Sequence, residues 1–267
     1  MTILVTGATA NIGRMVVDEL LALGATDVRA LTVDPARAAL PPQVEVVTGF
    51  FDQPDAVAAA LDGVDKLYLA PHRSTVADTC RAAAKAGVRH IVDLAGFKGL
   101  HWQVIEDAVE ATGIPYTHLE PGEFMSNTTN WAPQIRAGDE IRDAWGDAAG
   151  APIAQEDIAA VAARVLLSGE HEGQSYELTG PETISRRQQL AAIGDALGRD
   201  LVYVELTGEA ARAHYRELMG EFGDWYLDGL AQQAAHPQPA QQTVATLLNR
   251  PAMTYSEWAR RHADLFR

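Results

Sequence analysis

Cysteine is nearly absent from this 267-residue chain: Cys80 stands alone. That excludes an internal disulfide and any cysteine-built metal cluster, so no metal is expected. Lysine is almost as rare, with Lys66, Lys85 and Lys98 the whole set, and positive charge is carried by scattered arginines. A formal charge of −15 without a basic patch argues against nucleic acid as a partner, because its phosphates would be repelled. No apolar run approaches the ~18 residues of a membrane span, and no basic segment precedes the first apolar residues. The expectation is a cytoplasmic protein with no membrane partner. Repeats and low-complexity segments are missing too. What is present is a chain 47% hydrophobic, enough for a sizeable core. Cys80 falls in a helical stretch (73–87), where a thiol reads as a small buried hydrophobe.

The first thirteen residues carry the strongest signal. Met1 to Val5 is a short apolar strand running directly into Thr6-Gly-Ala-Thr-Ala-Asn-Ile-Gly13, after which Arg14 to Leu23 has helical periodicity. A strand, a glycine turn and a helix start suit a diphosphate held on backbone amides, where free N–H groups and the helix dipole favour negative charge. Gly7 permits the sharp turn, and Gly13 lets the helix pack closely on the strand. Thr9, Asn11 and Ile12 join them as cofactor contacts, while Ala10 stands where a G-x-x-G-x-x-G pattern has its middle glycine.

Strands read at 2–6, 27–32, 43–48, 65–69, 89–94 and 115–119, with helices between them at about 11–24, 53–61, 73–87 and 101–112. This alternation predicts an α/β fold, a doubly wound parallel Rossmann sheet, whose ligand sits at the carboxyl ends of the strands. Asp52, Ala70, Pro71 and Ala95 occupy such positions and are further candidates for cofactor binding. After Pro121 the pattern loosens. Residues 1–121 then form the dinucleotide-binding domain, and 122–267 mainly a smaller C-terminal α/β lobe over the strand ends. The helical run from Asp157 to Leu167 (about 151–168) is expected to return to the Rossmann core. Ser185 with Gln188 and Thr254 with Glu257 have capping-box spacing at later helix starts.

Five fragments together resemble a known family. They are the Thr6–Gly13 turn, Val28-Arg-Ala-Leu31 with Asp34-Pro-Ala-Arg37, Gly113 to Asn127, Asp157-Ile-Ala, and Tyr176-Glu-Leu-Thr-Gly-Pro-Glu182. In this order they resemble the NmrA-like branch of the atypical short-chain dehydrogenases over nearly the whole chain. The resemblance implies a Rossmann domain binding NAD(P), with a smaller lobe over the nicotinamide. Some members reduce quinones, dyes, enones or cyclic ethers, and others are redox-sensing binding proteins without catalysis.

Departures from the family pattern sharpen the expectation. Val33 stands where many members have an arginine after the second strand, and Arg37 is the nearest basic residue. Asp34 is better placed to cap the turn before Pro35 than to bind a ribose. Thr32 and Arg37 therefore become the binders of a 2′-phosphate, and NADP(H) is preferred over NAD(H). Tyr-x-x-x-Lys is absent: Tyr68 is followed by His72, and Tyr116 by Glu120. The resemblance favours Lys98 or His101, after the fifth strand, as proton donor. Glu120 replaces the arginine of the family's Leu-Arg-Pro segment and is a third catalytic candidate. His72, Glu123 and Phe124 are candidates for the substrate pocket; Phe124, Trp102, Trp131 and Trp145 are read either as an aromatic wall suited to a planar substrate or as ordinary packing. The reading is an NAD(P)H-dependent reductase of a planar, electron-poor acceptor such as a quinone or enone, compatible with a homodimer. Alternatives are a non-catalytic NAD(P)-sensing regulator and a biosynthetic tailoring enzyme using the fold for non-redox chemistry.

Overall fold

The computed structural model describes residues 1–70, 72–96 and 102–267. Along the chain the strands are β1 (Ile3–Val5), β2 (Val28–Thr32), β3 (Glu45–Thr48), β4 (Lys66–Leu69), β5 (His90–Leu94), β6 (Tyr116–Pro121), β7 (Glu140–Ala144), β8 (Ala149–Gly150), β9 (Gln174–Leu178), β10 (Ile184–Ser185) and β11 (Val202–Leu206). The helices are α1 (Asn11–Ala22), α2 (Pro35–Ala38), α3 (Pro54–Leu61), α4 (Val76–Ala86), α5 (Gln103–Glu110), α6 (Ala132–Ala137), α7 (Gln155–Leu167), α8 (Arg186–Leu197), α9 (Gly208–Met219), α10 (Gly223–Ala235), α11 (Thr243–Leu248) and α12 (Tyr255–Arg261).

Two compact units form. The first comprises Met1–Gly122, Gln155–Leu178 and Thr243–Arg250. Its seven strands run in the order β3-β2-β1-β4-β5-β6-β9, and every neighbouring pair is parallel. This is the doubly wound order, with its switch point between β1 and β4. β9 and α11 are drawn into this unit from far along the chain. Because helices cover both faces, central strands must be apolar throughout, and Ile3, Leu4 and Val5 are all buried. Helix α7 packs against α1 and is buried on nearly every side, from Ile158 and Ala159 to Val165 and Leu166. Its alanines allow that close approach. Lys66 closes the far end, donating from Nζ to the carbonyls of Leu166 (2.7 Å) and Ser168 (2.6 Å). Cys80 is buried, and its thiol is pushed up to about 12 by burial, so it behaves as the expected small hydrophobe.

The second unit comprises Glu123–Ala154, Thr179–Gln242 and Pro251–Arg267. β7 pairs with β11 in parallel, and β8 with β10 antiparallel. Its core joins Met125, Ile135, Leu190, Ile193, Trp258 and Phe266. Ser185 and Gln188 form the full reciprocal capping box at the start of α8. At Thr254 only the hydroxyl half is present, accepting from the N–H of Glu257. Trp131 does not stand in an aromatic wall. It is buried, and its Nε1 donates to Asp143 Oδ2 at 2.5 Å. An indole in a core needs an acceptor, and that need placed it. Trp145 and Trp102 are partly exposed and belong to different units, so the wall expected from composition does not assemble within either.

Candidate nicotinamide-cofactor site

The glycine turn sits where β1 ends beside β4. Thr6 ties the two strands together: its Oγ1 donates to the carbonyl of Tyr68 (2.8 Å) and accepts from the N–H of Ala70 (2.9 Å). Gly7 takes φ +61°, a left-handed turn that glycine adopts at no steric cost. A Cβ on Gly13 would lie 2.2 Å from the carbonyl oxygen of Gly7. Only glycine lets α1 start against the loop at this distance.

The result is a helix N-terminus left open. Ala10 is the N-cap, no side chain caps α1, and its first turn carries no acidic residue. Thr9, Ala10 and Asn11 are exposed, while Ile12 and Gly13 anchor the turn in the core. An uncapped dipole at the carboxyl ends of parallel strands fits a diphosphate, whose oxygens would take up the orphan amides. Ala10, at the position of the pattern's middle glycine, is exposed.

The other candidates lie around the same strand ends. Thr32 is buried at the end of β2, with its Oγ1 3.5 Å from Thr9 Oγ1 and accepting from the N–H of Asp34 (3.4 Å). Asp34 does what its position suggested: its carboxylate accepts from the N–H of Arg37 (3.0 Å) and caps α2. Arg37 is exposed one turn beyond Thr32, and Asp52 is exposed after β3. Ala95 directly follows β5, its N–H donating to the carbonyl of Leu119. Ala70 follows β4 and lies against the turn, since a Cβ on Gly7 would meet Ala70 Cβ at 2.9 Å. Pro71, Lys98 and His101 lie outside the described residues.

His72 is taken up locally. Its Nδ1 is 2.7 Å from Thr75 Oγ1 just before α4, and its ring stacks on Phe51 (centroids 5.3 Å apart, 13° between planes) with Phe50 edge-on at 5.2 Å. Sequence reasoning passed over Phe50 and Phe51, although two adjacent aromatics directly after a strand were a visible signal. Glu120 is buried at the end of β6, in the first unit. Glu123 and Phe124 begin the second, where Glu123 accepts from the hydroxyl of Tyr226 at 3.1 Å. That contact holds the Tyr226 hydroxyl proton firmly, since burial and then the neighbouring carboxylate both push its pKa up.

Among the described residues, no helix is long and apolar enough to cross a membrane. Nor are three His, Cys, Asp or Glu side chains grouped there to hold a metal.

Comparison with known proteins agrees with this geometry. The family described as NAD(P)H-binding matches residues 7–104, which spans the turn and the strand ends through β5. Over 99% of both chains, the sequence is 37% identical to a (4-alkanoyl-5-oxo-2,5-dihydrofuran-3-yl)methyl phosphate reductase of Streptomyces griseus. It is 32% identical to an NAD(P)H azoreductase of Xenophilus azovorans, again over 99% of both. A solved structure of an Escherichia coli NADPH-dependent quinone oxidoreductase, complexed with NADPH, superposes with TM-score 0.87 at 26% identity, covering 98% of this chain and 99% of that one. With its open glycine turn, its doubly wound sheet and full-length likeness to these enzymes, the chain belongs to the NmrA-like branch of the atypical short-chain dehydrogenases and is an NAD(P)H-dependent reductase.

Proposed function

We propose that the protein uses NADPH in preference to NADH and delivers its hydride to a planar, conjugated acceptor, a quinone or an enone set in a small ring. The observation that carries the reading is the pairing of an uncapped α1 with the exposed Arg37 beyond Thr32. The amides take the diphosphate, and the exposed Arg37 guanidinium, just after β2, is the cation we assign to a 2′-phosphate. The bound nicotinamide supplies the hydride, so the chain's own task is to orient the acceptor and bring one proton. Lys98 and His101, which follow β5 in the sequence, and Glu120, at the end of β6, are the residues we assign to that proton. His72, Glu123 and Phe124 are each candidates for acceptor recognition. The relatives support an acceptor of this kind: their names are those of reductases of a dihydrofuranone, of azo compounds and of quinones. A cytoplasmic setting and a homodimer complete the proposal.

Arg37→Ala should weaken NADPH binding about tenfold or more, which is about 1.4 kcal/mol or more, and leave NADH nearly unchanged. Isothermal titration with both cofactors decides it, and an equal effect on the two would remove Arg37 from the assignment. Turnover is tested by following the absorbance of reduced nicotinamide with a panel of small quinones and unsaturated lactones. Oxidation of NADPH that falls about a hundredfold in at least one of Lys98→Ala, His101→Ala or Glu120→Gln is the expected result. Tight NADPH binding with no turnover over the whole panel would instead make the chain a nicotinamide sensor.

A further inference from the structure

Four ionisable side chains from three elements meet inside the first unit, at the carboxyl ends of β5 and β6. Asp93 is 0% exposed, Glu106 and His118 1%, and Glu120 4%. His118 and Glu120 are two apart on β6, so they share one face of the sheet, and Asp93 on β5 is in register with His118. Glu106 and Glu110 are one turn apart on α5, which packs over this edge. The imidazole links the interior to the surface. Its Nδ1 is 2.6 Å from Asp93 Oδ2, and its Nε2 lies 3.5 Å from Oε1 of Glu110, which is 45% exposed. Tyr116 stacks on the ring at 4.2 Å, and its hydroxyl reaches the same Glu110 carboxylate at 3.5 Å.

Buried charge at this density is not a neutral packing choice. Asp93 Oδ1 and Glu106 Oε1 have no hydrogen-bond partner among the described residues, and His118 Nε2 meets Glu110 only as a 3.5 Å ion-pair contact and not as a hydrogen bond; each such group costs desolvation energy that an apolar side chain would avoid. The group does not form a metal site. It lies at the strand ends, beside the candidate cofactor residue Ala95.

We infer that Glu110, His118, Asp93 and Glu106 form a proton relay that carries a proton from solvent to Glu120 during turnover. This rests on the reductase reading above. Reduction of an acceptor double bond takes a hydride from the reduced nicotinamide and one proton besides. The Glu120 O–H bond breaks as the acceptor's new C–H or O–H bond forms. The carboxylate is then reprotonated from the Asp93–His118 pair, which refills through Glu110. Glu120 is the group that meets the acceptor, and the other four are positioning residues.

The electrostatics keep the relay loaded. Burial pushes the Asp93 and Glu106 carboxyls up. Burial opposes charge on His118, but the Asp93 hydrogen bond and carboxylate, with Glu106 and Glu110, overcome it and raise its pKa above 6.5. The pair therefore holds its shared proton to higher pH than free histidine does. The remaining groups facing Asp93 are the Tyr68 hydroxyl of β4 and the Cys80 thiol of α4, both held protonated by burial. Gln103 of α5 donates to Glu106 at 3.0 Å.

The test uses the full chain saturated with NADPH and a small quinone that the wild type reduces. Glu110→Gln, on the surface, and His118→Gln should each lower kcat about tenfold with NADPH KM unchanged, and added imidazole should restore much of the loss. The alkaline limb of the kcat–pH profile should move to lower pH in His118→Gln. Wild-type profiles in both variants, or losses that follow melting temperature and resist imidazole, would overturn the relay. Should the wild type reduce no acceptor, the reductase reading fails by itself. The relay is then judged by nitrogen NMR of labelled histidine: a doubly protonated His118 at neutral pH sustains the loaded pair, and a neutral ring refutes it.

Discussion

Asp143→Leu is expected to lower the unfolding free energy of the second unit by about 3–5 kcal/mol, because it strands a buried guanidinium. Asp143 is 2% exposed and Arg186 5%. The carboxylate accepts from Trp131 Nε1 at 2.5 Å, from the Tyr215 hydroxyl at 2.6 Å and from the N–H of Ala144 at 2.7 Å, and it pairs with Arg186 Nη2. Arg186 in turn donates to Tyr215 (3.1 Å) and to Tyr203 (3.4 Å), and lies over the Trp131 ring at 5.1 Å. Burial works to discharge the guanidinium, but the Asp143 carboxylate outweighs it, and the pKa of Arg186 is raised. Leucine would leave this cation without a counter-charge and three donors without an acceptor. The crevice beside it, lined by Asn127, Asn130 and His214 among others, has room for about one water molecule, too little to solvate a bare guanidinium. Asp143→Leu combined with Arg186→Met should recover most of the loss, since no buried charge then remains. Urea titration of the wild type and these two variants decides the matter. A loss below about 1 kcal/mol for Asp143→Leu, the range of an exposed pair, would mean that the pair contributes no more than a surface one.

The second large effect is expected at Gly13. Gly13→Ala should weaken NADPH binding about a hundredfold, equivalent to about 2.7 kcal/mol. Its Cβ would lie 2.2 Å from the Gly7 carbonyl oxygen and 2.7 Å from the Gly7 carbonyl carbon, both backbone atoms that no rotamer change can move. Either α1 shifts outward or the turn opens, and both carry the helix amides away from the diphosphate. Overpacking of this kind costs about 1–3 kcal/mol of stability as well. Calorimetric titration measures the affinity and thermal melting of the cofactor-free chain measures the stability. Wild-type NADPH affinity in Gly13→Ala would show that the amides of α1 do not hold the diphosphate.

The parts of this molecule that could be read in its sequence are those fixed by neighbours along the chain. The turn from Thr6 to Gly13 was legible because a strand, two glycines and a helix start lie within thirteen residues, and each acts through local backbone geometry. Asp34 as a cap and the Ser185–Gln188 box were legible for the same reason, a side chain reaching the backbone three residues on. Glu120 was conspicuous because a carboxylate replaced the arginine of the family resemblance, yet its partners were not in view. His118 and Asp93 are 25 residues apart and read as ordinary members of apolar strands.

The sequence by itself determined the periodicities, and with them the doubly wound sheet, the dinucleotide turn and the absence of a tyrosine–lysine pair. Only tertiary structure decided which polar side chains share a buried space. It set Asp93 beside His118 through the β5–β6 register, and it buried Trp131, a candidate for a substrate wall, against Asp143, which also holds Arg186. It also took β9 into the edge of the first sheet. The physical reason is that local order follows from dihedral preferences and hydrophobic spacing, which a one-dimensional chain displays. The energy of a buried charge depends instead on partners that only the folded packing brings within a few ångströms.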